Sequence, residues 1–153
     1  MPDQFDLLPH LFALAAAYAL ALPIGWNREV EERSAGLRIF PLVALASCGF
    51  VQAVETLTAD DPAAMARVLE GVIAGIGFLG GGAILQQRKS VKGTATAASL
   101  WVTGAIGVAA GLGSYDVAVV LAVLTMATLW FMRPLKPREN ERGDDPAEDR
   151  PGG

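Results

Sequence analysis

The chain has 153 residues, 52% of them hydrophobic, and its mean hydropathy is +0.39 even though its C-terminal stretch is strongly polar. These values exclude an ordinary soluble domain and point to an integral membrane protein. A formal net charge of −4 gives no reason to expect nucleic acid, and the lone Cys48 excludes an intrachain disulfide.

Five apolar segments, 7–26, 37–57, 68–85, 94–112 and 117–132, are separated by short polar ones. A helix needs roughly 20 such residues to cross a bilayer core. The expected fold is therefore all-α, a polytopic bundle of about five transmembrane helices over residues 1–132. The fifth segment is short and would need Tyr115, Trp130 and Phe131 at the headgroups to reach across. The first is preceded by Asp3 and Asp6 and by no Lys or Arg, unlike a secretory signal, and is expected to be a retained span. Pro23 is expected to kink or end its helix just ahead of Gly25, whereas Pro41 falls near a helix start, where proline is tolerated.

The polar stretch 26–38, WNREVEERSAGLR, holds Arg28, Glu29, Glu31, Glu32, Arg33 and Arg38. It reads as a connector or as a docking surface for a partner or lipid headgroups. Arg28 and Glu32, at i and i+4, can pair if the helix continues. In the second span Cys48, Gln52 and Glu55 share one helix face, which suits either a helix interface or a hydrated path.

The third span contains GVIAGIGFLGGGA, residues 71–83, with six glycines in thirteen residues. Each interior glycine costs a helix about 1 kcal/mol relative to alanine. In a bilayer, however, helices associate by close backbone approach, and Gly71/Gly75 and Gly77/Gly81 are both small-xxx-small pairs. This helix is expected at the centre of the bundle, with Gly80, Gly81 and Gly82 either helical or breaking the helix against protein or a cavity. In the fourth span Thr96, Ser99 and Thr103 share a face. Gly93, Ala97, Ala105 and Ala109 offer small surfaces and Trp101 a large one; hydroxyl bonds to the preceding turn and packing are the expected roles. Residues 133–153 are charged and proline-rich and are expected to form a disordered tail.

Eleven of the twelve basic residues fall on one side of this arrangement and only Arg67 on the other, which predicts an outer N-terminus and a cytoplasmic C-terminus. The outer side is acidic, with Glu55, Asp60, Asp61, Glu70 and Asp116. Glu55, Asp61 and Glu70 are the candidates for a cation site, against the simpler reading that carboxylates remain where Lys and Arg are excluded. No metal-ligand set surrounds His10, and the formal GxGxxG of Gly75, Gly77 and Gly80 lies inside a span and not between a strand and a helix. No catalytic constellation and no cofactor site is expected.

Three blocks in order, REVEERSAGLRIFPLVAL, DPAAMARVLEGVIAGIGFLGGGAIL and VKGTATAASLWVTGAIGVAAGLG, resemble the membrane domain of the MgtC/SapB family across residues 25–113. Matching positions include Arg28 and Glu29, Gly36 and Arg38 of AGLR, Asp61 and Pro62, and Gly75, Gly77 and Gly80 of GIGFLG. Thr94, Thr96 and Trp101 match in the third block. Asn27 stands where the family often has Glu, Ile39 where it often has Thr, and Gly71 where it often has Gln. The soluble C-terminal domain of longer members is not expected here.

The resemblance implies a bacterial inner-membrane, multi-pass protein linked to growth at low magnesium that regulates other membrane proteins. The expected partners are the lipid bilayer and other membrane proteins, with a homo-oligomer left open. The rival reading is a cation or small-solute transporter or channel with an acidic outer vestibule.

Overall fold

The computed structural model describes residues 7–32, 36–58, 61–87 and 90–131. Five helices follow in order: α1 (Leu7–Glu32), α2 (Gly36–Thr58), α3 (Pro62–Ala83), α4 (Thr94–Gly111) and α5 (Tyr115–Phe131). An antiparallel hairpin, β1 (Leu85–Gln87) and β2 (Ser90–Lys92), joins α3 to α4 and pairs Leu85 with Lys92 and Gln87 with Ser90. The protein is thus an all-α polytopic bundle with one short hairpin. Helices α1 to α4 are long and apolar enough to cross a membrane. The 17 residues of α5 rise only about 26 Å, less than a ~30 Å hydrocarbon core. Tyr115 at its start packs edge-on against Phe12 of α1, with ring centroids 5.2 Å apart.

Helix α4, and not α3, is the centre. It touches every other helix, and burial runs nearly all round it, through Ser99, Leu100, Thr103, Gly104, Ile106, Gly107, Ala109 and Ala110. Glycine, alanine and hydroxyl side chains on most of its faces let neighbouring helices approach closely on each. On its other side an alanine seam of α1, Ala13, Ala17 and Ala21 at i, i+4 and i+8, packs with Ala44, Cys48 and Ala110. By contrast α3 buries only Val72, Ile76 and Gly80.

Two alternatives left open by the sequence are decided. Pro23 neither ends α1 nor stops it before Gly25; the helix runs on through Arg28 to Glu32, turning half of the expected 26–38 connector into helix. Proline is tolerated within a packed membrane helix because neighbouring groups take up the freed carbonyl. Gly80, Gly81 and Gly82 do not break α3, which stays helical to Ala83. The 133–153 tail lies outside the described residues.

The ends of α4 are fixed by two glycines at positive φ. Gly113 (φ 75°) closes the helix, its N–H donating to the Ala110 carbonyl while Ser114 N–H reaches Ala109, the paired bonds of a Schellman cap. Gly93 (φ 87°) opens it, and a Cβ there would overlap the Ala83 carbonyl oxygen at the end of α3. Around Gly113 such a Cβ would meet nothing within 4 Å. Both Gly→Ala changes carry the left-handed penalty of about 1–2 kcal/mol, and only Gly93→Ala adds a collision. Thermal unfolding in mild detergent is expected to place Gly93→Ala clearly below Gly113→Ala; equal midpoints would refute the collision.

Candidate functional site

Of the charged residues at the α1–α2 connection, Arg28 is packed into the bundle. Gly25 and Gly36 stand face to face: a Cβ on Gly25 would lie 2.8 Å from the Gly36 carbonyl oxygen, and one on Gly36 2.6 Å from that of Gly25. This approach draws α1 and α2 together around Arg28, which is only 4% exposed. Its Nε and Nη2 donate to Asn27 Oδ1 at 3.2 and 2.6 Å, and Nη2 lies 3.7 Å from Glu31 Oε2. Glu29 Oε2 accepts the Leu37 N–H at 3.3 Å, tying the end of α1 to the first turn of α2. A buried guanidinium is costly unless its N–H groups and charge are met in this way. The ion pair described for Arg28 is with Glu31, three residues on; the Glu32 side chain lies outside the described residues. Asn27 was legible only as a departure from a family pattern, and its role as an acceptor needs the fold. Arg38, ten residues from Arg28, is exposed.

At the other side of the bundle, the structure does not gather the acidic candidates. Asp61 caps α3, its Oδ1 accepting the Ala63 and Ala64 N–H groups at 3.0 Å each, with Pro62 at the first helical position. Glu55 and Glu70 are exposed, and no group of three His, Cys, Asp or Glu among the described residues could hold a metal ion. The Cys48–Gln52–Glu55 face packs against α1 over its first two members: Cys48 is fully buried, and Gln52 Nε2 donates to the His10 carbonyl at 3.4 Å. In α4, Ser99 and Thr103 donate to the carbonyls of Ala95 and Ser99 at 2.7 and 2.8 Å, as expected of packed membrane hydroxyls. Thr94 is exposed at the start of α4, Thr96 is half-buried, and Trp101 is 52% exposed beside Gly104.

Glycines divide into two sets. Those of α4 are occupied: a Cβ on Gly104 would overlap Ile76 of α3, one on Gly107 the Ala44 carbonyl, and one on Gly111 would lie 2.9 Å from the Cys48 oxygen. On α3, Gly80 is in ordinary contact with Ala97, but Gly71, Gly75, Gly77, Gly81 and Gly82 would meet nothing within 4 Å. The small-xxx-small pair that packs this bundle is Gly107/Gly111, which sequence reading passed over although its spacing was visible. On α3 the pair Gly77/Gly81 faces outward and the pair Gly71/Gly75 lies along a groove beside α2.

The MgtC family model matches residues 14–138. Protein MgtC of Salmonella typhimurium (strain LT2) is 33% identical over 141 residues, covering 92% of this chain and 60% of the relative. Protein SrpB of Synechococcus elongatus is 37% identical over 138 residues, covering 82% and 76%, and Protein MgtC of Brucella abortus 38% over 122 residues, covering 80% and 50%. The chain thus spans about 60% of the length of the Salmonella relatives it matches. No solved structure matches it.

Arg28→Ala strands Glu31 and Asn27 in a buried setting and is expected to destabilise the protein by about 3 kcal/mol. Gly36→Ala, which collides with backbone, is expected to cost about 2 kcal/mol, and Gly49→Ala, interior to α2 with open space around it, to gain up to about 1 kcal/mol. Unfolding midpoints in mild detergent rank the three; an Arg28→Ala protein as stable as the parent would show that the cluster does not hold the α1–α2 pair.

Proposed function

The chain belongs to the MgtC family, and from that membership and the outward glycines of α3 we propose that it regulates other proteins of the bacterial inner membrane, in adaptation to low magnesium, by binding their transmembrane helices. It is a multi-pass membrane protein, with the N-terminus outside and the C-terminus cytoplasmic in this reading, as the distribution of Lys and Arg favours. The observation that carries the proposal is the pair Gly77 and Gly81, one turn apart on the exposed side of α3 with nothing within 4 Å. Glycines turned to lipid gain no packing and weaken their helix by about 1 kcal/mol each. A partner helix would recover that cost through close approach, with Phe78, 84% exposed, beside the crossing. A cation pathway draws no comparable support, because Asp61 is engaged as a cap and Glu55 and Glu70 join no ligand cluster among the described residues.

The test is copurification of the tagged chain in mild detergent after growth at low magnesium. Gly77→Leu and Gly81→Leu are expected to insert and elute as the parent does, while a stoichiometric membrane partner held by the parent falls by about ten-fold or more. Retention of that partner by both variants would overturn the proposal. Gly104→Leu is unsuitable as a probe, since the space it needs is filled by Ile76 and the variant is expected to misfold.

A further inference from the structure

The opposite edge of α3 forms one wall of an apolar groove with α2, about 670 Å³ in volume. Its floor includes Gly71, Gly75, Ala46 and Ser47, and Leu42 and Phe50, 62% and 59% exposed, stand up along its α2 rim. Consecutive spans run antiparallel, so one end of the groove lies at Ile39 and Leu79 and the other at Phe50 and Val68. Eleven helical rises separate Ile39 from Phe50, about 16 Å, which is close to the ~15 Å hydrocarbon depth of one leaflet and about half of what a crossing helix would cover.

Charge marks one end of this groove. Arg38 lies just outside the lining, next in the chain to Ile39 and one turn before Leu42; it is exposed and makes no ion pair among the described residues. The neighbouring carboxylate of Glu29 is engaged by the Leu37 N–H. A single-leaflet apolar trench with a cation at its headgroup end matches the anatomy of a phospholipid. Basic pockets at the ends of apolar clefts between membrane helices select anionic headgroups.

We infer that the α2–α3 groove holds one acyl chain of an anionic phospholipid whose phosphate is met by Arg38. The site is on a different face of α3 from Gly77 and Gly81 and does not rest on the helix-binding proposal. Lipid retention and partner copurification are read separately, so either can fail alone.

The full chain in mild detergent, offered equal phosphatidylglycerol and phosphatidylcholine with identical acyl chains, is examined by native mass spectrometry. The parent is expected to retain one phosphatidylglycerol with a preference of about five-fold, the scale of one basic residue near an anionic headgroup. Arg38→Gln is expected to keep a lipid but lose the preference. Gly75→Leu is expected to fill the groove and lose both lipids without lowering its unfolding midpoint, since a Cβ there has open space and the rest of the side chain enters the groove itself. Gly71→Leu provides the same test should Gly75→Leu fold poorly. Equal retention of the two lipids by the parent, a preference that survives Arg38→Gln, or lipid retained by both filled variants would each overturn the inference. So would a dimer mass in the parent that disappears on filling, which would give the groove to a second copy of the chain.

Discussion

Close backbone approach between α2 and α4 is the interaction on which the rest of the bundle depends. In a bilayer no water is released when two apolar helices meet, so association must come from contact itself. Gly107 and Gly111 remove the side chains that would hold the two axes apart, and the carbonyls of Ala44 and Cys48 occupy that space. Once α2 lies against α4, α1 can close over both through Ala13, Ala17 and Ala21. Helix α3 then seats Ile76 over Gly104, and α5 seats Ala118 and Ala122 in the same core.

Helix number and approximate limits were legible because the bilayer imposes a length and composition on anything that crosses it. The limits of α2 and α4 agree with the apolar segments to within a residue or two. Where the helices outrun the apolar segments the physical cause is shared: polar residues do not end a helix whose polar groups are met. Helix α1 continues past Trp26 because Arg28 finds its acceptors inside the protein, and α3 begins at Pro62, six residues before the apolar run, because Asp61 and Pro62 form a helix start. The hairpin of Leu85–Gln87 and Ser90–Lys92 left little signal in strands of three residues each.

Which helix is central was not legible, again for a physical reason. A soluble helix declares its buried side by an apolar stripe, but in a membrane both sides are apolar and the stripe vanishes. Glycine density then shows where backbones can approach without showing which backbone does so. Six glycines in α3 suggested a centre; only Gly80 among them touches a neighbour within 4 Å. Helix α4, with fewer glycines, uses Gly104, Gly107 and Gly111 all within the bundle. The surplus on α3 therefore calls for something other than the fold of this chain, and it divides into an outward pair and a groove wall with different shapes beside them.

The two matched arginines of the α1–α2 region show how position, and not residue type, assigns a role. Arg28 lies on the α1 face that continues the alanine seam, so its guanidinium is carried into the packed side and must be answered there. Arg38 lies two residues before the buried Phe40, on the outward side of α2, and remains open to the surroundings. Asn27, in place of the glutamate common in the family resemblance, bears on the first of these. Its amide oxygen accepts two guanidinium N–H groups, so the departure removes no acceptor from Arg28. Glu31 is the carboxylate whose pairing with Arg28 is described, at 3.7 Å. A buried guanidinium is held at least cost where its N–H groups and charge are met within the protein, and set against the Gly25–Gly36 contact this cluster suits a clamp between two helices.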